Sequence, residues 1–176
     1  MDQEVTTTYI KDADHFTEIL ERIRTVKFDL VIGTADIKDL FTTKGDESRP
    51  FLAVLSELIH KGVTVRLIHA KEPGPNFRKD FDRYPTLCKK LQRKLCPRVH
   101  FKIIIFDCQY AYIGSANLTG AALGMKSSKR RNMEAGILTN DPAIVDAAME
   151  HFNSVWEGDY CAECERKRFC TDPISS

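Results

Sequence analysis

His100-Phe-Lys-Ile-Ile-Ile-Phe-Asp-Cys-Gln-Tyr-Ala-Tyr-Ile-Gly-Ser-Ala-Asn117 is the stretch of this 176-residue chain whose reading decides the fold. With Arg98-Val99 before it, the run to Phe106 is β-branched and aromatic, and it is bounded by Pro97 and the turn residues Asp107-Cys108-Gln109. It is expected to be one strand of a hairpin, with Tyr110 to Ile113 as the other. A period of two puts His100, Lys102, Ile104 and Phe106 on one face and Val99, Phe101, Ile103 and Ile105 on the other. A lysine beside a histidine on so apolar a strand is costly unless an anion meets it, and a phosphate would. Beyond the hairpin, Gly114-Ser115-Ala116-Asn117 leads into Leu118 to Leu123, expected as a short helix ending near Gly124. Ser115 or Asn117 would cap that helix, and its free N–H groups would suit an anion.

Outward from the hairpin, strands and helices alternate. Strands are expected at Val5 to Ile10, Phe28 to Gly33, Val63 to His69 and Met133 to Thr139. Helices are expected at Ala13 to Thr25, Arg49 to His60, Phe81 to Leu95 (a basic one) and Pro142 to Trp156. Lys71 to Asn76 and Thr42 to Ser48 read as loops by their turn residues. The alternation implies an α/β fold, a mixed β-sheet sandwiched by helices. With 43% apolar residues and 10 Phe, the chain fills one core and is too short for two ordinary domains. The division expected is a main domain over 1–157 and a cysteine-containing tail over 158–176.

The net charge of +1 hides an asymmetry: from Arg83 to Arg131 there are 11 Lys or Arg against one acid, Asp107. Lys89, Lys90, Arg93 and Lys94 precede the hairpin, and Lys126, Lys129, Arg130 and Arg131 follow it. One such run is ordinarily a solvated face. Two of them flanking a phosphate-suited hairpin point to a polyanion, nucleic acid first among them.

The pattern H-x-K-x4-D-x6-G-S-x-N, carried by His100, Lys102, Asp107, Gly114, Ser115 and Asn117, arises by accident in about one chain of this length in several hundred thousand. It resembles the HKD motif of the phospholipase D superfamily, whose members cleave or exchange phosphodiesters. The likeness extends loosely to Arg131-Asn-Met-Glu134, where that family commonly places a carboxylate that orients the catalytic histidine. The resemblance implies that His100 is the nucleophile, or its acid/base partner, in a reaction through phosphohistidine. Lys102 and Asn117 would hold the non-bridging oxygens and Ser115 would add a hydrogen bond. It also implies that the chemistry needs no metal. Asp107 is a site candidate through its place in the motif, although Asp at the start of a turn also reads as structural.

Such a double displacement needs a second acid/base group, which the family usually takes from a second copy of the motif. This chain has one complete copy: His15, His60 and His151 lack a Lys two residues later, and His69-Ala-Lys71 has Asn76, Arg83 and Tyr84 where the Asp, Gly and Ser of the motif would fall. A homodimer with two facing His100 side chains is therefore expected. The fragment Ile32-Gly-Thr-Ala-Asp-Ile37 echoes Ile113-Gly-Ser-Ala-Asn-Leu118 and reads either as a strand-to-helix turn with Asp36 near the cap or as a second phosphate contact.

Six cysteines without a secretory leader point to a cytoplasmic protein with reduced or metal-bound thiols, and no run is long enough to cross a bilayer. The C-x2-C-x5-C set Cys161, Cys164 and Cys170, with Cys96 as fourth ligand, suits a structural zinc ion or iron–sulfur cluster. Plain reduced cysteines in a loose tail are the other reading. Cys88 reads as part of a helix stripe with Leu91 and Leu95. The function expected is a phosphodiesterase, a nuclease acting on DNA or RNA. The alternatives are a phospholipase D or phosphatidyl-transfer enzyme, or a non-catalytic nucleic-acid-binding module.

Overall fold

The computed structural model describes residues 4–38, 40–44 and 47–171. Its strands are β1 (Thr7–Lys11), β2 (Asp29–Thr34), β3 (Phe41–Lys44), β4 (Glu47–Pro50), β5 (Thr64–His69), β6 (Gln92–Leu95), β7 (Lys102–Phe106), β8 (Tyr110–Gly114) and β9 (Ala135–Thr139). The α-helices are α1 (Glu21–Ile23), which continues a π-helical turn at Phe16–Leu20, α2 (Phe51–His60), α3 (Pro75–Phe81), α4 (Pro85–Lys90) and α5 (Pro142–Glu157).

Seven strands form one mixed sheet in the order β1-β9-β8-β7-β2-β5-β6, with β3 and β4 as a separate ribbon. The pairs β2–β5 and β5–β6 are parallel; β7 runs antiparallel to both of its neighbours, β2 and β8. The alternation expected for the hairpin is present. Ile104 and Phe106 enter the core under α2 with Leu30, Ile32, Leu55 and Tyr112. Val99, Ile103 and Ile105 enter a second core with Val145, Ala148, Phe152 and Trp156 of α5. Each such fully buried side chain is worth about 1.5–3 kcal/mol of transfer free energy, and the two cores hold the sheet between its helical layers.

The last helix begins as its sequence implies. Asp141 accepts a hydrogen bond from the Ala143 amide at 3.0 Å, Pro142 occupies the first turn, and Gly158 ends the helix at φ 88°.

Four expectations need correction. The basic helix over Phe81 to Leu95 is broken: α3 ends at Phe81, α4 ends at Lys90, and Gln92–Leu95 form edge strand β6. Pro85 supplies the break, because it can only open a helix, and Cys88 is exposed rather than part of a core stripe. The strand expected from Arg98 starts only at Lys102. The loop over Thr42 to Ser48 is occupied by the β3–β4 hairpin. The helix over Leu118 to Leu123 is a series of turns, because Leu118 is committed to a bridge with Ile37 and Gly124 adopts φ 76°, where a Cβ would lie 2.7 Å from the Ala13 Cα.

Candidate active site

Because β2 and β8 both run against β7, the turns that leave them emerge at the start of β7, beside His100 and Lys102. Lys102 lies opposite Gly114. A side chain at Gly114 would run into the Tyr112 ring and stand 2.7 Å from the Ala135 carbonyl oxygen, so only glycine allows the motif turn to lie this close to β9.

His100 is exposed, and Lys102 is 8% exposed. The Lys102 ammonium donates to the His100 carbonyl oxygen at 2.7 Å and stands 3.4 Å from the ring Nδ1. Burial pulls the proton affinity of Lys102 below that of an ordinary lysine, and the Glu134 carboxylate opposes the shift. His100 and Asn117 line an open cleft of about 620 Å³ together with Asp36, Lys71, Arg98 and Arg166.

The echo fragment positions Asn117. Its Oδ1 accepts from the Asp36 amide at 3.2 Å and from the Thr34 hydroxyl at 3.3 Å, and the Thr34 hydroxyl in turn accepts from the Leu118 amide at 3.2 Å. With its oxygen so held, the side-chain NH2 of Asn117 is the end left to donate. Neither motif turn opens a helix, so the anion donors expected from a helix start are absent there. Asp36 carries ion pairs to Lys38 at 3.4 Å and Lys71 at 3.5 Å.

Ser115 donates to Glu134 Oε2 and accepts from the Ala135 amide at 3.0 Å, while Glu134 Oε1 accepts from Asn132 at 3.0 Å. Glu134 therefore orients Ser115 here rather than His100. Its backbone is fixed by Asp12, whose Oδ1 accepts from the Glu134 amide at 3.2 Å and whose amide donates to the Glu134 carbonyl at 3.0 Å. Under the motif turn, the buried Tyr112 hydroxyl accepts from the Ala116 amide at 3.1 Å, and burial pushes its pKa up to about 12.

Asp107 is not part of this group. It sits at the far end of β7 at φ 52°, and its carboxylate accepts from the amides of Lys27, Phe28 and Asp29. It is a structural clasp between the hairpin turn and β2.

Of the basic residues singled out, Lys126, Lys129 and Arg130 are exposed and Arg131 is half-buried on the loop that leads to Glu134. Lys126 lines a separate cavity of about 450 Å³ beside Lys38. The cations of the His100 cleft are instead Lys71, Arg98 and Arg166, of which Arg98 alone falls within the basic stretch Arg83 to Arg131.

Cys96, Cys161 and Cys164 line one cavity, and the Cys170 thiol stands 3.7 Å from the Leu95 carbonyl oxygen, next to Cys96 in sequence. The four thiols share a region without surrounding one point. Among the described residues, no group of three or more His, Cys, Asp or Glu side chains is arranged to hold a metal ion.

The sequence profile described as "Cardiolipin synthase, PLD-like domain" matches residues 19–156. The chain belongs to the phospholipase D superfamily. NucT from Helicobacter pylori is similar in structure (TM-score 0.65, 16% identity, 88% of this chain and 97% of that one). So is Nuc, a phospholipase D family member from Salmonella typhimurium (TM-score 0.63, 18% identity, 87% and 95%). TrmBL2, an archaeal chromatin protein whose structure is described as a novel mode of DNA binding, matches over 52% of its own length (TM-score 0.60, 15% identity, 86% of this chain). No curated protein sequence matches. The phospholipase D-like domain is thus a phosphodiesterase-type enzyme in its general class, and no helix among its described residues is long and apolar enough to cross a membrane.

Proposed function

We propose that the protein is a nuclease that hydrolyses DNA or RNA through a phosphohistidine on His100, working as a homodimer. The observation that carries this reading is an exposed imidazole and the Asn117 side chain at one open cleft, with the buried Lys102 ammonium 3.4 Å from that imidazole. A ring nitrogen of His100 forms a bond to phosphorus as the ester P–O bond breaks, the leaving oxygen taking the electron pair. Lys102 and Asn117 donate to the non-bridging oxygens, where charge gathers. Water then attacks phosphorus and returns His100 to its free state.

The leaving oxygen needs a proton in the first step, and a base must take one from water in the second. No other histidine of the chain lines the His100 cleft. His15 and His69 are fully buried, His60 bonds Thr86, and His151 packs on Phe101. The acid/base role falls to His100 of a second copy, which supports the dimer. Nucleic acid is favoured over lipid because Lys126, Lys129, Arg130 and Arg131 make no ion pair among the described residues, leaving a cationic loop outside the His100 cleft that a long polyanion can also reach.

The cysteine tail is proposed to have a structural role. A zinc ion or iron–sulfur cluster there requires the four thiols to close on one point, and metal analysis of untagged protein tests it: absence of both zinc and iron dismisses the ion.

The functional test is incubation in EDTA with labelled single- and double-stranded nucleic acid and with phospholipid vesicles, beside His100→Ala. Nucleic-acid cleavage that survives EDTA and vanishes in the variant is expected. Cleavage of vesicles alone would replace the nuclease reading with a lipid one, and salt-sensitive binding without turnover would reduce the protein to a binding module.

A further inference from the structure

The tail after α5 is tied to the segment that delivers His100. Gly158 turns the chain back, and residues 158–171 run beside 94–98. Lys94 donates to the Trp156 carbonyl at 2.7 Å and lies over the Trp156 ring at 4.8 Å. Arg98 donates to the Tyr160 carbonyl at 3.5 Å with its guanidinium over that ring at 5.7 Å.

This path brings Arg166 to the wall of the cleft that holds His100 and Asn117. Lys71, in the same cleft, is already paired with Asp36. The Arg166 side chain has no carboxylate partner among the described residues, and its guanidinium carbon lies 5.5 Å from the centre of the Phe169 ring. An exposed guanidinium at the edge of a phosphate-directed cleft is built for a forked grip on a second anion.

We propose that Arg166 binds a phosphate neighbouring the scissile one, so that the tail is a wall of the active site and sets a preference for polymeric phosphodiesters. The inference rests on the phosphodiesterase reading of His100. Position favours the neighbouring phosphate because the scissile one is already served by Lys102 and Asn117, while Arg166 comes from outside the sheet.

The test compares a short single-stranded oligonucleotide with bis(para-nitrophenyl) phosphate, a diester that has no neighbouring phosphate. Arg166→Ala is expected to raise KM for the oligonucleotide about tenfold, the size of a lost charged hydrogen bond, with kcat unchanged and the small diester unaffected. In a His100→Ala background, the slope of log affinity against log salt should shrink by about one phosphate contact, and Arg166→Lys should restore it. Arg166 is exposed, so the variants fold, and an unchanged thermal midpoint checks this. An unchanged KM and slope overturn the proposal, as do equal losses on both substrates. If the parent protein turns over the small diester and ignores the oligonucleotide, the Arg166 inference falls while the His100 chemistry stands. If it turns over neither, the parent reading itself has failed.

Discussion

The Lys102 ammonium lies 2.7 Å from the His100 carbonyl oxygen and 3.4 Å from its ring, so one strand start fixes both cation and imidazole. Replacing the cation while keeping its bulk isolates its electrostatic part. Lys102→Met should lower kcat about 10²–10³-fold, as loss of one oxyanion donor does elsewhere. Near-UV circular dichroism should be unchanged. A loss of tenfold or less would remove Lys102 from the chemistry.

Thr34 is a positioning residue that acts through Asn117, whose Oδ1 it holds at 3.3 Å. Thr34→Val keeps the shape and removes the hydroxyl that joins Asn117 Oδ1 to the Asp36 carbonyl (2.9 Å) and the Leu118 amide, leaving Asn117 Oδ1 with the Asp36 amide as its donor. The expected result is about a tenfold fall in kcat with little change in KM, and rescue by Thr34→Ser. Equal kinetics in the Val and Ser variants would show that the Asp36 amide alone suffices.

Asp107 belongs to stability rather than turnover. Its carboxylate takes three backbone amides, so Asp107→Ala should cost about 1–3 kcal/mol in urea unfolding while kcat stays within about twofold. Asp107→Asn keeps an acceptor and tolerates positive φ, so its loss should be smaller. A large fall in kcat in a folded Asp107→Asn variant would return this residue to the reaction.

Acid should weaken the fold early. His15 and His69 are fully buried, and burial holds both imidazoles below their usual 6.5; Arg93 beside His69 adds to its shift. The unfolded chain therefore takes up protons first as pH falls through 6.5. The stability carried by the neutral rings is complete above that value and is lost progressively toward the lower folded-state pKa values. The urea midpoint should fall between about pH 7.5 and pH 5.5, and a midpoint that is flat or rises over that range would contradict the burial of these rings.

Local pattern carried much of the fold. The alternation from Val99 to Phe106, the Asp141-Pro142 start and Gly158 end of α5, and the strand at Phe28 to Gly33 all follow from neighbours in sequence. Failures came where distant contacts overrule propensity. Gln92–Leu95 look helical by their Leu and Lys content but form an edge strand beside β5, and Leu118 to Leu123 lose their helix to the Ile37 bridge.

The site divides in the same way. His100, Lys102 and Asn117 were visible as a motif, and the echo at Ile32 to Ile37 hinted at the support from Thr34 and Asp36. Nothing local marks Arg166 as a cleft residue, because a tail beyond α5 brings it there, while Lys71, in His69-Ala-Lys71, repeats the His-x-Lys spacing of the motif and arrives on the loop after β5. Asp12, which braces Glu134, lies more than 100 residues away in sequence, and no spacing rule connects them.

The central claim is that a ring nitrogen of His100 attacks an esterified phosphorus. A single-turnover reaction with labelled oligonucleotide, quenched in alkali to preserve phosphoramidates and mapped by peptide mass spectrometry, tests this directly. A nucleotide adduct on His100, absent in His100→Ala, is the predicted result. Full turnover in EDTA with no adduct on that histidine, or with the adduct on another residue, would contradict it.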